Sequence, residues 1–436
     1  MTQAAQTLMD RVPEAPAPRG PGWLADLRGR AATALRETGF PHKKIEAWRF
    51  TPVDPVVRVP FAGPPAEPPA GWEAIAEGEL TGGELPTIFL VNGRPAGQAA
   101  SPMPGVEVTS LAEALDKDVE ALRAHLGQHA PSAYFSALNA ALFDDGLFVR
   151  VRQGQALETP LHIVHVTAPG AAPVAAYPRI VVAAEPGSEL RLVESYVGEE
   201  GGQKHLTSPV TEIGLERGAV VDHLRVVRGA QTGYHVANLS VSQDQSSSYS
   251  SRSVVLGGAL TRIDLDVVMK GEGASCTLDG IYHVDGKDHV DHHTFIDHAE
   301  PRCSSQETYR GLLSGRGHAV FDGTIAVRKH AQQSSAHQEN RNLLLSDDAT
   351  IHTKPHLQID ADDVSCSHGA TIGSLDDSAL FYLRARGVGR EHAEAMLTYA
   401  FVKEVVDRIP HAASRQRIGR ALLSRLPHGE AAAELE

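Results

Sequence analysis

Residues 180–193, Ile-Val-Val-Ala-Ala-Glu-Pro-Gly-Ser-Glu-Leu-Arg-Leu-Val, contain two short apolar runs separated by a turn of small and charged residues. The same pattern extends from about Gly146 to about Leu380, where Gly, Asp, Asn and Ser separate short runs rich in Val, Ile and Leu. Because long helical periodicities are absent from this stretch, it is predicted to be all-β. Asn-Gly and Asp-Gly hairpin turns do not dominate it, as they would in a sandwich or barrel. A solenoid of stacked short strands is therefore favoured, although no strict repeat period is visible.

The segment before this β region is predicted to be largely helical. Residues Trp23 to Thr38 place apolar side chains near one face, and Ser110 with Glu113 forms a capping box that opens another helix. That helix is predicted to run unbroken to Leu126. The chain is thus divided into an N-terminal helical or mixed region (1–145), a β core (146–380) and a C-terminal helical region (381–436).

Two helices are predicted in the C-terminal region. The first has apolar residues at intervals of four, and the second is expected to begin at a Ser414 cap. The second helix is also basic within an acidic protein, and its arginines form either a solvated face or a docking surface for an acidic partner. The apolar positions are Leu397, Phe401, Val405 and Ile409 in the first helix and Ile418, Leu422 and Leu426 in the second; the arginines are Arg415, Arg417, Arg420 and Arg425.

The composition excludes several classes of protein. The 436 residues carry a net charge of −14, which argues against a nucleic-acid binder because phosphate binding needs a basic face. No apolar run reaches the roughly 18 residues that span a membrane, and the N-terminus lacks the pattern of a signal peptide. A cytoplasmic location is therefore expected. The three cysteines, Cys276, Cys303 and Cys366, include no C-x-x-C pair, so the chain cannot hold a four-cysteine cluster by itself.

The segment Asp363–Gly369 contains a candidate metal-binding pair. If it is a strand, Cys366 and His368 point to the same face, about 7 Å apart along the chain. A thiolate and an imidazole are both suitable ligands for iron. The alternative from local sequence is a buried cysteine and a hydrogen-bonded histidine at a turn.

A second cluster is rich in histidine and aspartate and lies between residues 283 and 298. In a strand, His289, Asp291 and His293 would share one side and His292 would face the other. The cluster is either an independent metal site or a set of hydrogen-bonded histidines. Its members are His283, His289, His292, His293, His298, Asp288, Asp291 and Asp297.

Signatures of catalysis are missing from the sequence. There is no Gly-x-Ser-x-Gly elbow, no Rossmann fingerprint and no phosphate-binding loop. ATP-driven work would therefore have to come from a partner. Acidic pairs at Asp347-Asp348 and Asp376-Asp377 leave open a carbohydrate-active β-helix enzyme, although such pairs are more often solvated turns.

Ordered motifs across about residues 40–425 resemble the SufB/SufD family of iron–sulfur cluster assembly proteins, and within it the SufD-type subunits. An N-terminal element is Glu46-x-Trp48-x-x-Thr51, and the further motifs follow from residue 309 onward. They are Tyr309-Arg310-Gly311-Leu312-Leu313, Val320-Phe321-Asp322-Gly323, Gln338-Glu339-Asn340-Arg341-Asn342, Lys354-Pro355-His356-Leu357, Cys366-Ser367-His368-Gly369-Ala370-Thr371 and Leu380-Phe381-Tyr382-Leu383-Arg384-Ala385-Arg386-Gly387.

The resemblance implies a right-handed parallel β-helix core with helical regions at both ends. It also implies a non-enzymatic scaffold subunit in a complex with a SufB-like paralogue and a SufC-like ATP-binding-cassette ATPase, with self-association as a further option. A nascent iron–sulfur cluster would form at the paralogue interface near His368, with Cys366 beside it. A reduced flavin is implied in the assembled complex, with no binding residue assigned in this chain. The ATPase would dock on the C-terminal helices, at Met396, Leu397, Phe401, Arg415, Arg417 and Arg420.

Overall fold

The structure is a computed structural model that describes residues 8–12, 20–79, 85–97, 103–128 and 134–427. It confirms the mainly β class, with a parallel β-solenoid in the middle and helices towards both ends. The predicted regions 1–145 and 381–436 extend beyond the described residues, and the division into three regions stays a prediction. Strands from the N-terminal region join the β-helix sheets, and one helix crosses position 380.

Two sheets form the body of the molecule. Sheet 1 contains β1 Thr87–Val91, β2 Arg94–Ala96, β5 Leu161–Thr167, β8 Glu189–Gly198, β11 Val220–Arg228, β13 Ser248–Leu256, β15 Ser275–Val284, β17 Ser304–Leu313, β19 Ser334–Leu344 and β21 Val364–Gly373. Sheet 2 contains β3 Val106–Ser110, β4 Leu147–Val151, β6 Val174–Ala176, β7 Arg179–Ala184, β9 His205–Thr207, β10 Val210–Leu215, β12 Gly233–Gln243, β14 Leu260–Met269, β16 His289–His298, β18 His318–Val327 and β20 Thr350–Ile359.

From β10 onward, consecutive strands alternate between the two sheets, and each strand pairs in parallel with the strand two places later. The sequence shows no strict period because the turns differ in length. Tyr234 pairs with Leu260, 26 residues later, whereas His318 pairs with Thr350, 32 residues later. The solenoid is therefore regular in space but irregular in sequence.

The helices lie on both sides of the chain's β region. On the N-terminal side they are α1 Gly22–Thr38, a 3₁₀ turn Glu46–Trp48, α2 Asp54–Val57, α3 Trp72–Ala76, α4 Leu111–Lys117, α5 Val119–His125 and α6 Tyr134–Leu142. On the C-terminal side they are α7 Asp377–Ala385, α8 Arg390–Asp407 and α9 Ala412–Leu423.

Four apolar clusters hold these layers together, the smallest of which packs α3 against β1, β5 and β8 of sheet 1. The first lies between the two sheets and includes Ile263, Ile296 and Phe321. The second packs the N-terminal helices on the outer face of sheet 2, and the third packs α8 and α9 on the outer face of sheet 1. Full burial of one aliphatic or aromatic side chain contributes roughly 1.5–3 kcal/mol, so each helical region is firmly attached.

Two predictions about helix ends are wrong. The helix that begins after Ser110 is interrupted at Asp118, whose φ of −142° is not helical, because its carboxylate is committed to Arg150 at 2.6 Å. The capping serine itself is confirmed, since Ser110 accepts the Glu113 amide at 3.0 Å. At the other end, His411 and not Ser414 caps α9: the His411 ring nitrogen accepts the Ser414 amide.

Candidate functional site

Strand β21 carries the predicted Cys366/His368 pair and is the last strand of sheet 1. Alternation along the strand puts both side chains on the face that continues the interior of the β-helix. In register, Cys366 lies beside Ala336 and His368 lies beside Gln338 of β19. The two side chains therefore share a face, as predicted, but each has a different neighbour below it.

Cys366 sits in an apolar setting. It is partly buried and packs against the cluster between the sheets, above Ala336. This burial raises the pKa of the Cys366 thiol. Because the thiolate is the form that binds metal, Cys366 is poorly prepared to act as a ligand in the isolated chain.

His368 is exposed, and within the described residues no hydrogen bond of its side chain is present. Residues 367–373 are all exposed, so no described residue covers the inward-facing side of β21. Apolar side chains are also exposed on β21 and on α7, the helix that follows it in the chain: Ile372 is 51% exposed, Phe381 74% and Tyr382 57%. We call β21 with these two aromatic residues of α7 the open end of the β-helix.

An ion-pair network fastens α8 to the strands next to the open end. Arg408, the residue that follows α8, contacts Asp279 of β15 at 2.6 Å and Glu404 of α8 at 2.7 Å. Arg310 of β17 contacts Glu339 of β19 at 2.7 Å and Glu404 at 3.3 Å. The helix and the strands below His368 are therefore linked by side chains as well as by apolar packing.

The six residues implied in ATPase docking lie on α8 and α9 and differ in accessibility. Met396, Leu397 and Phe401 are half-buried on α8. On α9, Arg417 and Arg420 are exposed, whereas Arg415 donates to the Ile409 carbonyl at 2.8 Å. Of the two exposed arginines, Arg417 also lies 3.5 Å from Glu79.

The histidine cluster does not converge. Strand β16 turns His289, Asp291 and His293 outwards and His292 and His298 inwards, as the alternation predicts. Burial lowers the pKa of His289 to about 4 and that of His292 to about 3, so both are neutral at pH 7. Across the described parts of the chain, no group of three or more His, Cys, Asp or Glu side chains is arranged to hold a metal ion.

The N-terminal motif forms a clasp on the outer face of sheet 2. Glu46 pairs with Lys354, the Trp48 ring stacks on Arg262 at 3.7 Å, and the Thr51 hydroxyl donates to Asp291 at 2.5 Å. We call these three residues, Glu46, Trp48 and Thr51, the N-terminal clasp. A cavity of about 590 Å³ lies beside it. The motif therefore has a structural role that is separate from the open end.

Sequence reasoning missed the side chains beneath His368. Strand β19 turns Gln338, Asn340 and Asn342 into the interior, directly under β21. Glu307 of β17 lies one strand further in, and burial raises its pKa to about 7. The alternation of Gln, Asn and Asn in the β19 motif was the available signal. It could not be used because the pairing between strands about 30 residues apart is not local.

The structure also shows where the two acidic pairs lie and whether any described helix could cross a membrane. Asp376 caps α7 by accepting the Ser378 amide at 2.8 Å, and Asp347 and Asp348 lie in an exposed turn. A structural role therefore accounts for Asp376. In the described ranges, the helices are all too short or too polar to cross a bilayer.

Comparison with known proteins gives matches along nearly the whole chain. The description "SufBD protein N-terminal region" matches residues 19–163, and "SUF system FeS cluster assembly, SufBD core domain" matches residues 165–401. The chain is 30% identical to an iron–sulfur cluster assembly SufBD family protein of Synechocystis over 418 residues, which cover 92% of this chain and 91% of that relative. It is 29% identical to the iron–sulfur cluster assembly protein SufD of Escherichia coli over 400 residues, which cover 91% of both chains.

Proposed function

The chain belongs to the SufBD family of iron–sulfur cluster assembly proteins, and from this premise we propose that it is a SufD-type scaffold subunit. In this proposal it pairs with a SufB-like paralogue and a SufC-like ATP-binding-cassette ATPase in the cytoplasm. It has no active site of its own, and a nascent iron–sulfur cluster is its cargo. A reduced flavin would belong to the assembled complex and not to this chain alone.

The open end of the β-helix is the observation that carries the proposal. Strands β20 and β21 are the last in their sheets, and no strand among the described residues pairs with the backbone donors and acceptors of their outer edges. Ile372 faces the direction of the interior yet is half exposed. A paralogue with a similar last coil could extend the sheets and cover these side chains, which is the geometry of strand addition.

His368 supports a shared cluster. A single imidazole supplies one ligand, whereas iron–sulfur clusters need several, usually cysteine thiolates. Cys366 lies on the same face, and its partial burial raises the pKa of its thiol. The remaining ligands would therefore come from the paralogue, with His368 as the principal contribution of this chain.

The C-terminal helices support a link to the ATPase. Docking at Met396, Leu397, Phe401, Arg415, Arg417 and Arg420 would place the ATPase on α8 and α9. Because Arg408 and Glu404 tie α8 to the strands under His368, a shift of the helix would be transmitted to the open end. ATP binding would then select one of two arrangements of the assembly.

The first test is an affinity pull-down of the tagged chain from its native cells. Stoichiometric recovery of an ATP-binding-cassette ATPase and of a SufB-like paralogue is expected. Recovery of the chain alone, from a lysate in which both partners are intact, would overturn the proposal. The substitutions Arg417→Glu and Arg420→Glu should remove the ATPase and keep the paralogue, whereas Arg316→Glu in an exposed turn of the β-helix should keep both.

The second test addresses His368. The His368→Ala complex, purified without oxygen, should contain much less iron and sulfide than the wild-type complex while keeping both partners. His337→Ala is the matched control, because His337 is also exposed on the neighbouring strand but points outwards and contacts Ser367 at 2.8 Å. Equal losses in the two variants, or a loss explained by dissociation of the complex, would remove His368 from the cluster site.

A further inference from the structure

A layer of buried amide side chains lies under the last strand of the β-helix. Gln338, Asn340 and Asn342 all point inwards from β19 and are buried. We call these three residues the polar floor. Burial of a polar group destabilises the fold unless the group is hydrogen-bonded, so each amide of the polar floor is expected to have hydrogen-bond partners.

Asn340 and Asn342 are satisfied within the floor. Asn342 donates to the Asn340 side chain at 2.6 Å, and Asn340 donates to the Tyr282 hydroxyl at 3.0 Å. The Tyr282 hydroxyl in turn donates to the Asn342 oxygen at 2.5 Å, which closes the network. These two amides therefore have a structural role that needs no further partner.

Gln338 differs because only half of its amide is used. Its Nε2 donates to Glu307 at 2.5 Å, which fixes the orientation of the group. Its Oε1 is buried and makes no hydrogen bond to any described residue. An unpaired buried acceptor costs about 1–3 kcal/mol, so a donor is expected to reach it in the working state.

The space around Gln338 is specifically shaped. Gly323 of β18 faces it from the other sheet, and a Cβ built at that position would lie 2.2 Å from Gln338 Nε2. A side chain larger than glycine there would force Gln338 out of contact with Glu307. The glycine of the Val320-Phe321-Asp322-Gly323 motif therefore makes room for the Gln338–Glu307 hydrogen bond.

The nearest side chain above Gln338 in the same column is His368. The two residues are register partners in adjacent parallel strands, about 4.8 Å apart, and both point to the inner face. The equivalent neighbour of Cys366 is Ala336, which offers no side-chain acceptor. Only one of the two candidate ligands thus has a polar group beneath it.

We propose that Gln338 is a positioning residue for His368: its Oε1 accepts the N–H of one imidazole nitrogen and turns the lone pair of the other nitrogen towards the partner. Glu307 holds Gln338 in the orientation that presents Oε1. A histidine that binds metal commonly donates its second ring N–H to a carbonyl or carboxylate, which sets the tautomer and the ring direction. In the structure neither the His368 ring nor Gln338 Oε1 is hydrogen-bonded to a described residue, so the bond between them is part of the proposal and involves only this chain. The use of His368 as a ligand rests, in addition, on the proposed function.

The test is the tautomer of His368 in the full chain, measured by ¹⁵N chemical shifts of ring-labelled histidine and assigned with His368→Ala. One tautomer should dominate in the wild-type protein. Gln338→Met, which keeps the length but removes the acceptor, should give a mixture of both tautomers, and Gln338→Glu should restore one. Asn340→Leu is the control, because it removes a floor amide that does not lie under a histidine. An unchanged His368 tautomer in Gln338→Met would overturn the proposal.

Cluster content of the purified complex separates this proposal from the function on which it draws. Gln338→Met should lower cluster content by on the order of 10-fold, as removal of such an outer partner commonly does. If the tautomer shifts but His368→Ala leaves cluster content unchanged, the positioning stands and the ligand role of His368 fails. If Gln338→Met does not fold, Gln338→Glu decides alone, and two populated tautomers in that variant would overturn the positioning role.

Discussion

The middle coils of the β-helix and its open end are built from similar strands but differ in what covers them. In β16 and β18 the inward residues, such as Ile296 and Phe321, are completely buried between the sheets. In β21 the same inward alternation ends in Ile372, which is 51% exposed. The last strand thus carries an apolar inward-facing residue, as the buried strands do, but this residue is exposed. An exposed apolar surface of this kind is expected where another chain binds.

The N-terminal clasp shows the same contrast on the outer face of sheet 2. Its contact with Arg262 lies over the middle coils, where Arg262 and Asp291 are buried and 2.6 Å apart. Its contact with Lys354 lies over β20, where both charged side chains are largely accessible. One motif thus makes a buried contact and an exposed contact with the same sheet.

The largest effect is expected for Phe321→Ala in the middle coils. Phe321 is fully buried and packs against Tyr309, with ring centroids 5.0 Å apart. Its loss should lower the free energy of unfolding by roughly 3–5 kcal/mol, measured by urea denaturation of the isolated chain. Phe381→Ala at the open end is the matched control and should change it by less than about 0.5 kcal/mol. Equal losses would mean that the open end is already covered in the isolated chain.

The two contacts of the N-terminal clasp should also contribute differently to stability: the contact with Arg262 should contribute more than the contact with Lys354. Arg262→Ala leaves the buried Asp291 carboxylate with less compensation and removes the stacking on Trp48, so a loss on the order of 3 kcal/mol is expected in urea denaturation. Lys354→Ala removes an exposed pair with Glu46 and a contact of 4.0 Å with Asp322, and should cost about 0–1 kcal/mol. A Lys354→Ala effect as large as that of Arg262→Ala would contradict the distinction between the two coils.

A smaller effect is expected from Asp266, which lines the cavity beside the clasp. Burial, together with the nearby Asp264, raises the pKa of Asp266 to about 7. Its folded pKa lies above the unfolded value of about 3.9, so this group stabilises the fold at low pH and loses that contribution as pH rises from about 4 to about 7. The free energy of unfolding of Asp266→Asn, relative to that of wild type, should therefore increase by roughly 2 kcal/mol from pH 5 to pH 7.5.

The measurement is the difference in unfolding free energy between wild type and Asp266→Asn at those two pH values. Because the distant titrating groups are common to both proteins, the difference reports Asp266 together with its coupling to Asp264 and His293. A constant difference would mean that the carboxylate is ionised throughout.

The sequence was sufficient for features that depend on local periodicity. Alternation alone placed Cys366 with His368 and separated His292 from His293, because side-chain direction in a strand has a period of two. The short strands and the helical periodicities already favoured a solenoid with helices at both ends, and the resemblance specified a parallel β-helix; the structure confirms a parallel solenoid with terminal helices.

Features that depend on distant contacts could not be predicted. The pairing of His368 with Gln338 joins residues 30 positions apart, in a solenoid whose spacing varies with turn length. The interruption at Asp118 depends on Arg150, which belongs to a strand of sheet 2. In both cases a tertiary contact decides the outcome, and local propensity does not contain it.

The smallest effect on the isolated chain, and the sharpest test of the open end, is expected for Ile372→Asp. Because Ile372 is half exposed, the free energy of unfolding should change by less than about 0.5 kcal/mol. Recovery of the SufB-like paralogue in the pull-down should nevertheless fall by about 10-fold or more, since an unpaired charge would be buried in the interface with the paralogue. Val220→Asp is the control: Val220 is 37% exposed on β11, far along sheet 1 from β21, and its replacement should keep the paralogue. If Ile372→Asp retains the paralogue, partner pairing does not cover this strand, and the exposure of β21 must have another cause. If both variants lose the paralogue, any added negative charge weakens the pairing, and the result does not identify the open end as the interface.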